Sequence, residues 1–108
     1  MDGCCCRWYS LNRLTEGRRK HACVKASING RPGLVVSGGR GRANSNLTSV
    51  EFFDAQTGAW LSLPPLRRGR RGHAMTVTRG RLVVAGGEGG RGKNKEFLDT
   101  MEVFNGKR

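Results

Sequence analysis

Leu82-Val83-Val84-Ala85-Gly86-Gly87 repeats a stretch met 48 residues earlier, Leu34-Val35-Val36-Ser37-Gly38-Gly39. A short apolar run closed by paired glycines reads as a brief strand ending in a turn. On either side the repetition continues. Trp8, Leu11, Leu14, Arg19, His21 and Ala22 return as Trp60, Leu63, Leu66, Arg71, His73 and Ala74, each 52 residues later. Leu47, Ser49, Val50, Glu51 and Phe53 return as Leu98, Thr100, Met101, Glu102 and Phe104 at an offset of 51. The offset changes only where turn residues cluster, around Asn29-Gly30 and Pro32-Gly33 and in the glycine-rich stretch after Gly87. Length differences confined to such places mark stacked structural units joined by loops.

Each unit reads as four short strands. His73–Thr78 is the first, closed by Arg79-Gly80-Arg81, and Leu82–Ala85 is the second. The third is clearest in the first copy at Ser49–Phe53, before an Asp54–Gly58 turn, and the fourth is Trp60–Leu63, ending at Pro64-Pro65. The runs are apolar on both faces, as in sheets covered on each side. Four-stranded units of this length repeated radially make the blades of a propeller.

With the double glycines Gly38-Gly39 and Gly86-Gly87, Glu51 and Glu102 in the third strand, and Trp8 and Trp60 opening the fourth, the chain resembles the kelch-repeat family. The Arg-x-His-Ala segments at Arg19–Ala22 and Arg71–Ala74 fit the first strand of such a blade. Phe53 and Phe104 depart from the family, which usually has tyrosine there. The resemblance implies an all-β fold, a partial kelch β-propeller of four-stranded antiparallel blades, with one full blade and parts of two neighbours. Residues 1–7 are expected to form an unstructured cysteine-rich terminus and residues 8–106 the repeats. Within the repeats, 8–17 is the last strand of a preceding blade, 18–66 a complete repeat and 67–106 a partial one; 107–108 is a tail. Propellers close with about 4–8 blades, so two blades' worth of strands points to a fragment or to self-association that completes a ring.

The chain of 108 residues carries a net charge of +12, which bears on its partners rather than its fold. Loops of an antiparallel blade alternate between the two propeller faces. The connections between second and third strands therefore share a face with those between blades. That face gathers Arg18, Arg40, Arg42, Arg67, Arg68, Arg70, Arg91, Lys93 and Lys95, the expected partner-binding residues. Kelch propellers resembling this one use that face to hold short acidic peptides, and arginine can bind a carboxylate bidentately. The expected function is a non-catalytic protein-interaction module for an acidic protein segment. The alternative is nonspecific binding of nucleic acid, which would call for stacking aromatics in the cationic loops. None is expected there, since the aromatics lie in or beside strands. Arg19 and Arg71, in register with the repeat, read as structural.

Gly87–Lys93 also matches the G-x-x-x-x-G-K pattern of a phosphate-binding loop. Asn94 stands where the metal-binding Ser or Thr is required, and the first copy has Ser37–Asn46 in the same place without the motif. A propeller loop is the better reading. His21 and His73 recur once per blade and read as packing elements, and Glu51 and Glu102 as structural acids. Copper-dependent enzymes of the kelch type need tyrosine and histidine ligands, and the sole tyrosine here is Tyr9. Catalysis, a metal and a cofactor are not expected. Cys4, Cys5 and Cys6 have neither zinc-site spacing nor a second cluster, and beside Arg7 they form a candidate S-acylation site. No disulfide framework, signal peptide or membrane span is legible, so a reducing compartment, cytoplasm or nucleus, is expected.

Overall fold

The computed structural model describes residues 10–91 and 94–105. Nine strands account for the regular structure of these residues: β1 (Ala22–Ile28), β2 (Arg31–Ser37), β3 (Val50–Asp54), β4 (Trp60–Leu63), β5 (Ala74–Thr78), β6 (Arg81–Ala85), β7 (Glu88–Arg91), β8 (Asn94–Phe97) and β9 (Met101–Phe104). A single 3-10 turn spans Arg42–Asn44. β1-β2-β3-β4 form one antiparallel four-stranded sheet in chain order, a complete blade. β5-β6-β9 form three strands of a second blade, and β7-β8 make a separate hairpin between its second and third strands.

Tight turns set the register. Asn29-Gly30 joins β1 to β2 with φ of 53° and 77°, and Arg79-Gly80 joins β5 to β6 with φ of 50° and 73°. Two central residues of positive φ twist the same way as the flanking strands, which favours such turns in hairpins. Glu51 lies opposite Val36 on one side and Ser62 on the other.

The core lies between the two blades. Ile28, Val35, Val50, Phe52 and Leu63 of the first blade cluster with Leu82 of the second, and Leu66, Met75 and Phe104 pack against them. Removing such side chains from water drives the two sheets together face to face. The burial is less even than the composition of the runs suggests. β3 is buried on both faces, whereas β1 alternates and Leu34, Leu61 and Val77 are exposed. A strand covered on one side only leaves its outward residues in solvent.

Of the strand expected over Trp8–Leu14, residues 10–14 are not in a strand and residues 8 and 9 lie outside the described residues. The cysteine-rich terminus, with Cys4, Cys5 and Cys6, and the tail 107–108 are outside them too. The glycine-rich stretch after Gly87 is a regular antiparallel hairpin rather than an irregular loop: Glu88 lies opposite Phe97, Gly89 opposite Glu96 and Gly90 opposite Lys95. A strand pair in this place has no helix N-terminus to receive a phosphate.

Candidate functional site

The double glycine builds the edge of the loop face. After β2, Gly39 turns with φ of 98°, and a Cβ on it would lie 2.7 Å from the Arg19 carbonyl and 2.9 Å from His21 Cβ. After β6, Gly87 does the same with φ of 90°, its hypothetical Cβ lying 2.7 Å from the Arg71 carbonyl and 2.8 Å from His73 Cβ. Only glycine fits a positive φ with backbone packed this closely. Each close approach continues into a two-residue bridge, Arg19 with Arg40 and Arg71 with Glu88. These bridges bring the inter-blade connection beside the connection between second and third strands, on one face of the molecule.

Two of the expected binding arginines are withdrawn from that face. Arg18 has a fully buried side chain; it donates from Nη1 to the carbonyls of Gly38 (2.8 Å) and Ser49 (3.2 Å), and from Nη2 to Ser49 Oγ (2.9 Å) and Glu51 Oε2 (2.6 Å). Arg70 repeats the pattern 52 residues later, on the carbonyls of Gly86 (3.0 Å) and Thr100 (2.9 Å), Thr100 Oγ1 (2.9 Å) and Glu102 Oε2 (3.0 Å). The connecting backbone completes the clamp: Thr15 N–H donates to Glu51 at 3.1 Å and Arg67 N–H to Glu102 at 2.7 Å. Arg18 places both terminal nitrogens, and Arg70 all three of its side-chain nitrogens, on acceptors inside the fold, and both side chains are fully buried, so neither reaches a partner. Arg18 and Arg70 therefore leave the candidate set, because a buried acid in the third strand needs a cation beside it.

Burial alone would raise both carboxyls. For Glu51 the Thr15 hydrogen bonds and the Arg18 guanidinium outweigh it, and for Glu102 the Arg67 and Arg68 amides and the Arg70 guanidinium do so. Both acids are held below the ordinary glutamate value, as hydrogen bonding to a carboxylate dictates. Sequence reasoning took the acids as structural but missed their partners. The signal was present, since Arg18 and Arg70 recur at the same offset as Arg19 and Arg71.

Arg71 is buried as well. It donates to Asn46 Oδ1 at 2.6 Å and pairs with Glu88 at 3.3 Å, while the Asn46 amide donates to the Gly90 carbonyl at 2.6 Å. This knot ties the β7–β8 hairpin to both blades. It also engages both polar atoms of the Asn46 side chain, in the Asn46-Leu47-Thr48 triplet that matches a glycosylation acceptor.

His73 is the second cross-blade tie. Its Nε2 lies 2.9 Å from Ser37 Oγ, and that hydroxyl donates to Met75 Sδ at 3.4 Å. The other ring nitrogen, Nδ1, is buried without a partner among the described residues. Burial, with the nearby charge of Arg70, pulls the imidazole below its ordinary value. His73 is thus the packing element expected of it, whereas His21 is exposed.

What remains of the basic face is well defined. Arg19, Lys20, Arg42, Arg67 and Lys95 are exposed, and none pairs with a carboxylate among the described residues. Arg40 is half-buried, and Arg68 pairs with Glu96 across the hairpin. Arg91 closes β7, and Lys93 lies outside the described residues. An aromatic unforeseen in the sequence joins them: Phe97 on β8, in the same hairpin as Lys95, is 83% exposed. It overturns the expectation that this face lacks an exposed aromatic. The clue was that Phe97 belongs to a stretch lengthened relative to the first copy. No group of three or more metal-ligating side chains, and no helix long and apolar enough to cross a membrane, occurs among the described residues.

Known proteins share this architecture. The Kelch motif family profile matches residues 69–105. Kelch-like protein 26 of Mus musculus is 37% identical over 93 residues, covering 85% of this chain and 14% of that protein. An F-box/kelch-repeat protein of Arabidopsis thaliana is 36% identical over 86 residues, covering 80% of this chain and 22% of its own length. The solved structure of YjhT superimposes with a TM-score of 0.60 at 28% identity, over 77% of this chain and 25% of that one. The chain therefore spans only about a seventh to a quarter of these proteins. Its repeated blade, its paired glycines and these likenesses agree: the chain belongs to the kelch-repeat family.

Proposed function

We propose that the chain is a non-catalytic protein-interaction module whose basic loop face binds an acidic protein segment. The observation that carries this reading is the cluster of exposed cations whose side chains form no ion pair among the described residues: Arg19, Lys20, Arg42, Arg67 and Lys95. The face stands on a rigid base, because the buried Arg18–Glu51 and Arg70–Glu102 pairs fix the loops from below. Flexible cations on a fixed base complement an extended run of carboxylates and steer its approach. Phe97 beside Lys95 supplies an apolar anchor of the kind that dominates protein interfaces.

Phe97 also favours a second reading, nonspecific binding of single-stranded nucleic acid, because an exposed ring beside cations is a stacking platform. Titrating the chain with an acidic peptide and with a single-stranded oligonucleotide, at about 50 and about 200 mM salt, separates the two. The first reading expects tighter binding of the peptide at the higher salt. Tighter binding of the oligonucleotide, with a steep loss of affinity as salt rises, reverses the order.

A further inference from the structure

The connection from β2 to β3 carries the sequence Arg40-Gly41-Arg42-Ala43-Asn44-Ser45. Ser45 is the one serine or threonine of the chain with arginine both three and five residues before it. The matching connection of the second blade, Gly87–Leu98, contains no hydroxyl residue. A cation at each of those two positions is the charge pattern read by serine kinases that take basic substrates, whose clefts hold each guanidinium on carboxylates.

The loop is tied at its ends and bonded only locally between them. Arg40 bridges to Arg19 and to Asn46. Within those ties Gly41 N–H donates to the Ser45 carbonyl at 3.0 Å, and both the N–H and the Oγ of Ser45 donate to the Arg42 carbonyl, at 3.2 and 2.9 Å. Arg42 and Ala43 are exposed, and Ala43 holds a φ of 57° inside the 3-10 turn, a conformation that costs energy outside glycine. A segment bonded to itself on the surface opens at small cost. Arg40 is half-buried, but its Nε has no partner among the described residues, so swinging out forfeits no hydrogen bond at that atom. Two neighbouring hydroxyls are engaged in the clamp instead: Thr15 Oγ1 donates to Glu51, and Ser49 Oγ joins Arg18 to Glu16.

We propose that Ser45 is the acceptor of an ATP-dependent serine kinase selecting basic substrates, and that its phosphate closes the basic face to acidic segments, an effect that rests on that face being the partner site. In the transfer a bond forms between Ser45 Oγ and the γ-phosphorus of ATP as the bond from that phosphorus to the bridging oxygen of ADP breaks, and the hydroxyl proton passes to the kinase's general base. Ser45 lines a cleft of ≈ 340 Å³ with Arg42 and Leu47 on its own loop and Thr15, Glu16 and Gly17 on the connection entering the first blade. Phosphate there adds a charge of about −1.5 to −2. It draws in the unpaired Arg42 and repels Glu16 and any carboxylate approaching the same cations.

The chain is incubated with ATP and a purified kinase that requires arginine at those two positions, and the phosphate is mapped by mass spectrometry of proteolytic peptides. Phosphate is expected on Ser45, with uptake reduced several-fold in Arg42→Gln and abolished in Ser45→Ala. An acidic peptide is then expected to bind the phosphorylated chain at least about tenfold more weakly than the unmodified one. Ser45→Ala, whose lost hydroxyl bonds a carbonyl of its own loop, should bind it equally before and after kinase treatment. An unmodified Ser45, or equal uptake by Ser45→Ala, overturns the site. Phosphorylation of Ser45 with unchanged peptide affinity overturns the switch. An unmodified chain that does not hold the peptide refutes the basic-face reading and with it the switch, while the phosphate map still decides the site.

Discussion

The guanidinium of Arg18 lies 2.6 Å from the carboxylate of Glu51, in a pair whose side chains are 0% and 2% exposed. In the next repeat Arg70 and Glu102 rebuild it at 3.0 Å. The same arginine bonds the carbonyl before the last glycine of each double-glycine turn, so one side chain ties the second strand, the third strand and the inter-blade connection. Breaking a buried pair by removing one partner leaves the other charge uncompensated. Glu51→Gln is therefore expected to cost about 3 kcal/mol of stability, checked by urea unfolding. Glu102→Gln should cost less, since that carboxylate is 18% exposed.

Both acids also set a pH dependence. Their folded values lie below the ordinary glutamate value, so in the window just beneath it the unfolded chain binds more protons than the folded one. The stability they contribute is complete above that window and is lost as pH falls through the folded values. Acid unfolding followed by circular dichroism should be less steep below the ordinary carboxylate range in Glu51→Gln than in the unsubstituted chain.

His73 acts one window higher. Its folded value is depressed by burial, so the neutral ring is the form the fold holds, and protonation would bury an N–H at Nδ1 without a partner. The contribution is whole above the ordinary histidine value of 6.5 and declines as pH drops below it. His73→Gln should remove this part of the pH dependence between neutral and mildly acid conditions, whereas His21→Gln, at an exposed position, should leave it in place.

Gly87 is the tightest test of the repeat geometry. With φ of 90° and its missing Cβ placed 2.7 Å from the Arg71 carbonyl, Gly87→Ala carries both backbone strain and a clash, together about 2–4 kcal/mol. Thermal unfolding should show a lowered midpoint. Gly80→Ala, where a Cβ would meet nothing within 4 Å, should cost markedly less.

Much of this was legible in the sequence because repeats report on themselves. The strand at Trp60–Leu63 falls where the repeat places it, and those expected at Ser49–Phe53, His73–Thr78 and Leu82–Ala85 lie within a residue at each end, whereas residues 10–14 are not in a strand. Turn residues such as Asn29-Gly30 announce their own backbone. The site was harder to read. A surface cation and a buried one look alike in a sequence, and Arg18 and Arg70 resembled Arg67 until the acids they neutralise were seen 2.6 and 3.0 Å away. Phe97 escaped notice because the equivalent position of the first copy is Asn46, bridged to Arg40 across a shorter connection. The second blade lengthens this connection into the β7–β8 hairpin, and the Arg71–Asn46–Gly90 knot that holds it is formed by residues distant in the chain.

The most direct test of the basic face compares its exposed cations with a neutral version of themselves. An acidic peptide is titrated into the chain and into the Arg42→Ser/Arg67→Ser/Lys95→Ser variant, which leaves every buried arginine in place. If the face holds the peptide, the variant unfolds as the unsubstituted chain does and binds at least about tenfold more weakly, equivalent to about 1.4 kcal/mol. Equal affinity of the two proteins for the peptide would refute the assignment.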